Sequence, residues 1–573
     1  MSSKGAFAGA LFFGWKDRSR LLAISGLAAV VAALYLPFLS NPLFFDDRGI
    51  FSGYAFAHYA ASPFALNARH PGYFTIAAVE VLFGTVEAQR AVGALFHCAT
   101  ALALLFAIRA LQRIWAPAPG PQSAKRDEIA AFAAAALFAA HPVAVYAAGY
   151  LVQRSIVLAT LFSLLSLAVF ARGAPTGRIV YAVAAGLLYA IAVLSKEHAL
   201  LAAALAPAAI WRHGEPPRRQ YRYIAIYWAV CAPAAILAVL FAKGVIGQPY
   251  EPEFAEVAAL ISPADAGWVG DPWLGSALAQ AALFFRYLGL WLWPRTGAMA
   301  LDLRVDFGSL WSAPVAAASV LGFVAFGCVG ALLAARRGRA ALAGLGFLWF
   351  WCLFLVEFTT VRFQEPFVLY RSYLWAPGLA IAAAALLACL PVRAAAAACA
   401  GALLLLGWQA HDRLGSLSSG LAMWEDAAAK LPSTPVPGAP RTLYQLGREY
   451  LNNGQPERAV AVVERCLRAY PRAFQCTLAR AAIHVRLGEY EAAIPYLRRA
   501  MALRPDQGVA AHHLGLALQQ LGCRDQARAQ YEAAYKLGFV GAMHRIKALD
   551  APGEGLLPPA SAVARSASFR CPA

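Results

Sequence analysis

The sequence predicts an all-α protein in two parts: a polytopic transmembrane bundle of about eleven spans with added interfacial helices, and a C-terminal α-solenoid. Hydrophobic residues fill 60% of the 573 positions and charged residues only 14%, whereas about 25% of a typical soluble chain is charged. Many apolar runs approach the ~20 residues that cross a bilayer as a helix. From about residue 411 these runs stop, and a repeat with a period of 34 residues begins.

The formal net charge is +18, and much of it lies in short loops between apolar runs. That distribution is typical of the cytoplasmic ends of membrane helices, so we expect lipid phosphate as the anionic partner and no nucleic acid. Four basic residues precede the first apolar run, residues 21–39. This run is long for a signal-peptide core, and we interpret it as an uncleaved anchor with a cytoplasmic N-terminus.

The predicted membrane domain covers residues 1–410. The segment 74–83 is too short to cross a bilayer and predicts an interfacial helix. The longer apolar runs are predicted spans, in chain order. They cover residues 21–39, 88–111, 128–149, 155–171, 179–195, 197–212, 222–243, 311–335, 340–360, 372–391 and 394–409.

The apolar run 277–293 contains Gln280 and Arg286, and it decides the sidedness of every later loop. If this run crosses the membrane, the three arginines of segment 336–339 fall outside, against the positive-inside rule. We favour a re-entrant or interfacial segment, because these arginines then fall on the cytoplasmic side. The C-terminus is then outside.

The soluble tail begins with a linker, residues 411–439, that contains a short amphipathic helix around Trp424. Gly454, Gly488 and Gly522 recur every 34 residues, and alanines and prolines recur with the same period. Small residues there let two helices pack closely, which is the pattern of tetratricopeptide repeats (TPRs). Three repeats are predicted at 440–473, 474–507 and 508–541, followed by a terminal helix and a disordered tail within 542–573.

Two adjacent carboxylates, Asp46 and Asp47, follow the first span almost at once. Residues that anchor span ends are usually basic or aromatic, so an acid pair is unusual there. Phe44 and Phe45 precede the pair and lower the local dielectric constant. One carboxylate could act as a general base towards an attacking hydroxyl, or the pair could hold a divalent cation. The alternative is a solvated loop start in which Asp47 pairs with Arg48.

Three basic residues, Arg154, Lys196 and Arg371, begin or end predicted spans on the same side as the acid pair. Arginine binds phosphate in a bidentate manner and lysine acts as a point charge, so together they suit a phosphate or pyrophosphate leaving group. The alternative for each is an interfacial anchor or an ion pair, for example between Lys196 and Glu197.

Four segments resemble, in this order, the motifs of the membrane-embedded GT-C glycosyltransferases. The resemblance is to members fused to TPRs, which include the animal transmembrane-and-TPR O-mannosyltransferases and their bacterial relatives. It spans nearly the whole chain. The segments are 45–50 with the acid pair, 137–159 with a His-Pro pair and an arginine, 194–199 with Lys-Glu, and 370–377 with Tyr-Arg and Tyr-Leu-Trp-Ala-Pro.

The resemblance implies transfer of a sugar from a polyprenyl phosphate or pyrophosphate carrier on the non-cytoplasmic face, with inversion at the sugar carbon. It implies that Asp46 is the base, with Asp47 in support, and that the three basic residues stabilise the departing phosphate. No metal is firmly implied. Further candidate substrate contacts are Arg69, His70, His141, Glu197 and Tyr370.

The repeats are then expected to recruit an acceptor protein. A composition rich in alanine, arginine and proline suggests a bacterial inner-membrane protein with periplasmic TPRs. Two alternatives remain open: a glycosyltransferase of the same fold that modifies a lipid or glycan, and a non-catalytic membrane scaffold. A transporter is disfavoured because the span interiors carry few polar residues and the two halves show no repeat.

Overall fold

The computed structural model describes residues 17–51, 55–63, 65–115, 120–208, 217–249, 258, 271–550 and 571. Within this part of the chain the structure is helical and forms no β-strand, which confirms the all-α class. The chain divides into two compact units, Met1–Ser419 and Gly420–Ala573.

The first unit contains seventeen described α-helices, several of them short. They are α1 Asp17–Tyr35, α2 Asp46–Phe51, α3 Ala55–Ala61, α4 His70–Phe83, α5 Val86–Trp115, α6 Pro121–Ala139, α7 Val145–Ala148, α8 Arg154–Gly173, α9 Ile179–Ser195, α10 Ala202–Ala208, α11 Pro217–Ala242, α12 Pro272–Leu292, α13 Phe307–Trp311, α14 Ala313–Ala334, α15 Arg339–Phe354, α16 Pro377–Leu387 and α17 Val392–Gly415.

Seven stretches of the described residues are long and apolar enough to cross a membrane, or eight if the pair α6 and α7, bent by 50°, counts as one span. The predicted count of eleven is therefore not confirmed. Helices α9 and α16 are shorter apolar helices, and α10 has only 7 residues. The seven stretches are Leu21–Phe38, Val86–Trp115, Leu151–Thr176, Arg218–Ala242, Ala313–Ala334, Arg339–Thr359 and Val392–Gly415.

The bundle has an acidic end and a basic end, which we define by the residues along α5. Near the start of α5, Arg90 donates hydrogen bonds of 2.7 Å to the carbonyl oxygens of Asn41 and Gly149, beside the acid pair. Arg113 lies in the last turn of α5. At 1.5 Å per residue the two arginines are about 34 Å apart, close to the thickness of a bilayer's hydrocarbon core.

The turn between α14 and α15 lies at the basic end. Arg339 forms a 3.1 Å ion pair with Asp127, whose carbonyl oxygen accepts a hydrogen bond from Gln112 in the last turns of α5. The arginines of segment 336–339 therefore share an end with Arg113. This is the placement that the positive-inside rule favours.

The contacts of helix α12 show at which end of the bundle it lies, because both of its ends form hydrogen bonds to the chain between α15 and α16. The Trp273 indole donates to the carbonyl oxygen of Phe358 at 2.9 Å, and the Trp291 indole donates to the Ser372 hydroxyl at 2.9 Å. Helix α15 starts at the basic end, so this connecting chain lies at the acidic end. The helix is not among the candidate spans, and its contacts favour the interfacial interpretation of the run 277–293.

The second unit contains α18 Gly420–Ala429 and then pairs of antiparallel helices. They are α19 Ala439–Asn452 with α20 Pro456–Ala469, α21 Phe474–Leu487 with α22 Tyr490–Leu503, and α23 Gly508–Gln520 with α24 Arg524–Lys536, followed by α25 Gly541–Asp550. Gly454, Gly488 and Gly522 adopt φ values of 70°, 80° and 89° in the turn inside each pair. Glycine is favoured there because a Cβ atom strains this left-handed conformation.

Two disulfides, which the sequence analysis did not predict, lie in the second unit. They join Cys466 to Cys476 and Cys523 to Cys571. The predicted disordered tail falls mostly outside the described residues, since only Cys571 is described beyond residue 550.

Candidate functional site

The backbone conformation places the two carboxylates of the acid pair in different surroundings. Phe45 adopts a left-handed conformation with φ of 52°, and α2 begins at Asp46. The backbone amide of Asp46 donates a hydrogen bond to the Tyr150 hydroxyl at 3.1 Å. Asp46 is exposed to a cavity, whereas Asp47 is completely buried.

The buried carboxylate of Asp47 binds the loop before α8. Its Oδ1 atom accepts a 2.9 Å hydrogen bond from the Val152 amide, while Arg48 donates to the Leu43 carbonyl oxygen at 3.2 Å. Burial raises the pKa of the Asp47 carboxyl to about 7, because desolvation outweighs the Val152 amide and the charge of Arg90. The pair therefore holds one accessible carboxylate and one that shapes the loop.

The raised pKa of Asp47 predicts a pH-dependent stability. A carboxyl whose pKa is higher in the folded state stabilises the fold below its unfolded pKa of about 4, and this contribution is lost as the pH rises to about 7. Asp47→Asn keeps an oxygen for the Val152 amide and does not ionise. We expect its Tm, relative to wild type, to increase by several degrees between pH 4.5 and pH 7.5 in thermal unfolding of the detergent-solubilised protein. Parallel melting curves at the two pH values would contradict the assignment.

A cavity of about 480 Å³ opens next to Asp46 at the acidic end. Its polar wall comes from five separate places in the chain: the loop after α1, the start of α4, the start of α8, the end of α9 and the chain between α15 and α16. Six residues singled out from the sequence line it, namely Asp46, Arg69, Lys196, Glu197, Tyr370 and Arg371.

Arg69 and Glu197 form a bidentate ion pair on this wall, with distances of 2.7 and 3.2 Å. Arg69 is the N-cap residue of α4 and has φ of 62°, and its side chain does not hydrogen-bond to the first turn of that helix. Glu197 is thus paired with Arg69, and the predicted alternative of an ion pair between Lys196 and Glu197 is not formed. This pair holds the start of α4 against the end of α9.

Lys196 has a different environment. It is buried, and within the described part of the chain its ammonium group has no hydrogen-bond or ion-pair partner. Burial is the largest cause that lowers the pKa of its ammonium group. Together with the positive charges of Arg69, Arg371 and Arg362, and against the opposing charge of Glu197, it brings this pKa to about 7. An unpaired cation among other cations is a strong attractor for an anion.

A buried cluster behind the cavity was missed by the sequence analysis. Glu357 is completely buried, and its carboxylate lies 3.0 Å from Arg362, 3.3 Å from Arg371 and 3.3 Å from His198. Arg362 and His198 also line the cavity. The available signal was a charged residue inside an apolar run, since such charges are costly in a membrane and usually serve a function.

Three other predicted residues do not line the cavity, and their roles in substrate binding stay predictions. Arg154 points towards α5 and donates to the carbonyl and side-chain oxygens of Gln89 at 2.7 and 2.9 Å. His70 is buried and packs its ring against aromatic neighbours. His141 accepts a 3.3 Å hydrogen bond from the Val143 amide and stacks on Trp291 with ring centroids 4.2 Å apart. These side chains organise the bundle.

Among the described residues, no group of three or more His, Cys, Asp and Glu side chains is placed to hold a metal ion. Asp47 is buried and bonded to the Val152 amide, whereas Asp46 lines the cavity, so the two carboxylates lie in different surroundings.

An apolar pocket of about 320 Å³ adjoins the cavity and shares Arg69, Glu197 and part of α11 with it. Its other walls are apolar residues of α9 and α11, including Val193 and Phe241. Three consecutive residues of α11, Val239 to Phe241, are between 43% and 60% exposed. A charged cavity therefore continues into an apolar pocket beside a helix with an outward apolar face.

Comparison with known proteins bears on the second unit alone. The tetratricopeptide repeat family model matches residues 444–508. This match confirms a tetratricopeptide repeat segment in the second unit, while the predicted third repeat, 508–541, lies beyond it. Among curated protein sequences, none is significantly similar to the chain. The protein is a helical chain with apolar candidate spans, and it carries a tetratricopeptide repeat segment.

Proposed function

We propose that this protein is an inverting membrane glycosyltransferase. It would transfer a sugar from a polyprenyl-phosphate-linked donor to a serine or threonine hydroxyl of an acceptor protein. The observation that carries the proposal is the cavity at the acidic end, which places the exposed carboxylate of Asp46 and the unpaired ammonium of Lys196 in one wall. A base and a phosphate-binding cation are the two groups that this reaction needs.

The proposed reaction is a single displacement. The acceptor oxygen attacks the anomeric carbon of the sugar while its proton passes to Asp46. The bond between that carbon and the phosphate oxygen breaks, and its electron pair stays on the phosphate. Attack from the face opposite the leaving group inverts the configuration. Lys196, with Arg371 and Arg362, lies in the cavity to stabilise the charge that grows on the phosphate.

The apolar pocket supports a lipid-linked donor over a nucleotide sugar. A polyprenyl chain needs an apolar path that starts beside the phosphate site, and the pocket shares Arg69 and Glu197 with the cavity. The exposed apolar residues of α11 give this path access to lipid.

The disulfides support a non-cytoplasmic location for the acidic end. Disulfides persist in the periplasm and other oxidising compartments and are rare in the cytosol. Helix α17 ends at the acidic end, because the side-chain amide of Asn41 donates a 3.1 Å hydrogen bond to the carbonyl oxygen of Leu414. The two disulfides follow later in the chain, in the second unit. With the arginines at the basic end, this orientation obeys the positive-inside rule and suits a bacterial inner membrane.

The TPRs favour a protein as the acceptor, because stacked repeats form extended surfaces that bind polypeptides. In this proposal they recruit the acceptor that the cavity glycosylates. A glycosyltransferase that acts on a lipid or glycan would use the same cavity, and the repeats would then dock another protein.

The lowered pKa of Lys196 predicts pH-dependent anion binding. The ammonium is charged below about pH 7 and loses its proton as the pH rises. We expect the affinity of the purified protein for inorganic pyrophosphate to fall about tenfold between pH 6 and pH 9, measured by calorimetry. Lys196→Arg remains charged and should show a flatter profile, which separates the lysine from the titration of pyrophosphate itself. Identical profiles for the two proteins would remove Lys196 from the phosphate site.

Glycoproteomics of exported proteins tests the acceptor class most efficiently. Deleting the gene in its native host should remove glycopeptides from one or more exported proteins, and the wild-type gene should restore them. Loss of a glycolipid or glycan with unchanged glycopeptides would favour the alternative acceptor. No change in either would leave the membrane scaffold as the better account.

A further inference from the structure

Two neutral side chains that line the cavity at the acidic end are buried without a hydrogen-bond partner. Gln153 is 3% exposed and Thr360 is 6% exposed, and both line this cavity. Among the described residues, no group bonds to the Oε1 atom of Gln153 or to the Oγ1 atom of Thr360. Unpaired polar groups destabilise a fold when they are buried, so native proteins keep few of them. The two side chains therefore indicate a ligand that supplies the missing hydrogen bonds.

The chain around Gln153 is fixed on both sides. The amide of Val152, the preceding residue, donates a 2.9 Å hydrogen bond to the buried carboxylate of Asp47. The next residue, Arg154, donates to the carbonyl and side-chain oxygens of Gln89 at 2.7 and 2.9 Å. The carboxamide of Gln153 thus lies on a turn at the start of α8 whose two neighbours are held by buried hydrogen bonds.

Thr360 lies in the irregular chain between α15 and α16, which is also held in place. Its carbonyl oxygen accepts a 3.4 Å hydrogen bond from the Ser276 hydroxyl, and the same hydroxyl accepts one of 2.9 Å from the Arg362 amide. The carbonyl oxygen of Thr359 accepts a 2.8 Å hydrogen bond from the Gly247 amide. Two separate parts of the fold therefore each hold a neutral polar group in the wall of one cavity.

The chemistry of these two groups differs from that of the charged residues around them. A carboxamide donates and accepts hydrogen bonds, and so does a hydroxyl, but neither carries a charge. They suit the hydroxyl groups of a sugar, whereas the ammonium of Lys196 suits a phosphate. The acceptor in the proposed reaction brings one reacting hydroxyl to Asp46, while a sugar ring presents several. The cavity volume of about 480 Å³ lies within the range of ligand pockets, ~300–1,000 Å³, and leaves room for a sugar beside the phosphate.

We infer, on the basis of the proposed transfer reaction, that Gln153 and Thr360 bind the sugar of the donor through its hydroxyl groups. A site built to hydrogen-bond a hydroxyl rejects an analogue that lacks it, because the buried polar atoms of the site are then left unpaired. These two residues would therefore determine which sugar is accepted, while the basic residues of the cavity bind the phosphate that all donors share.

The test measures, by native mass spectrometry of full-length protein from nanodiscs, the affinity for synthetic polyprenyl phosphate. It then measures the affinity for the same lipid carrying glucose, galactose, mannose or N-acetylglucosamine. The gain in affinity from the sugar is compared between wild type, Gln153→Met and Thr360→Val, which keep the side-chain shape closely and remove the hydrogen-bonding atoms. We expect the gain for the best-bound sugar to fall about tenfold in each variant, with unchanged affinity for the bare lipid.

Thermal unfolding separates recognition from a structural role. Because the polar atoms of Gln153 and Thr360 have no partner within the described chain, both variants should have the Tm of wild type or a higher one. Ser163→Ala is the matched control. The Ser163 hydroxyl of α8 is also buried without a hydrogen-bond partner among the described residues, but it does not line the cavity. This variant should keep the full gain from the sugar.

Three results would overturn the sugar site and leave the phosphate site in place: no gain from any sugar in wild type, the same gain in wild type and both variants, or equal losses for the bare and the sugar-carrying lipid. A lost gain together with a lowered Tm would assign the two residues a structural role instead. Wild-type protein that binds none of these lipids would overturn the proposed function, and the sugar site with it.

Discussion

Asp46→Asn is expected to lower sugar transfer by about 10²–10⁴-fold, the usual contribution of a general base. The amide is close in size to the carboxylate but does not accept the proton of the acceptor hydroxyl. The backbone hydrogen bond from Asp46 to Tyr150 does not involve the side chain, so the loop should keep its conformation. The measurement is the abundance of glycopeptides from exported proteins in a deletion strain that expresses each variant at equal level.

Glu87→Gln is the matched control for this experiment. Glu87 is an exposed acid in the first turn of α5, also at the acidic end, and it does not line the cavity. Its variant should restore glycosylation fully. Normal transfer by the Asp46 variant, with protein levels verified, would remove Asp46 from the mechanism.

Glu357→Gln is expected to destabilise the fold by about 3–5 kcal/mol, because it leaves buried charges without their counterion. The carboxylate is completely buried between Arg362, Arg371 and His198, at 3.0 to 3.3 Å. The two arginines also line the cavity, so anion binding should weaken together with stability. Chemical unfolding of the purified protein, followed by intrinsic fluorescence, measures the first effect, and calorimetry with pyrophosphate measures the second.

Glu128→Gln provides the comparison, since its carboxylate is partly exposed and lies 3.5 Å from Arg109. Such pairs contribute at most about 1 kcal/mol, and this one lies outside the acidic-end cavity. A loss for the Glu357 variant no larger than that of the Glu128 variant would show that the buried cluster is not a determinant of stability.

The repeats were predictable because their signal is local and periodic. Each turn inside a helix pair needs a left-handed residue, and Gly454, Gly488 and Gly522 supply it at a fixed spacing. The convergence of Asp46 with Lys196 and Arg371 was also predictable. Polar residues at span ends on one side of a membrane lie at one depth, where a concave surface brings them together.

Other features depend on contacts that the sequence pattern does not encode. Arg154 sits at the right depth, but the rotation of α8 directs it to Gln89, while its neighbours Gln153 and Ser155 line the cavity. The Glu357 cluster forms in the irregular chain between α15 and α16, where no periodicity reveals which side chains meet.

The number of spans and the disulfide pairing also could not be predicted from the sequence pattern. An apolar run predicts burial, but it does not predict helix length, and α16 has only 11 residues. Cys523 and Cys571 are 48 residues apart in the chain, so their pairing is set by the fold and not by a motif.

A cryo-electron microscopy structure of the full-length protein in nanodiscs, with a synthetic polyprenyl phosphate bound, would show whether Asp46 and Lys196 form one donor site. We expect phosphate density within hydrogen-bond distance of Lys196, on the same wall as Asp46, with the prenyl chain in the apolar pocket beside α11. Phosphate density at a place from which Lys196 and Asp46 are both out of reach would contradict this expectation.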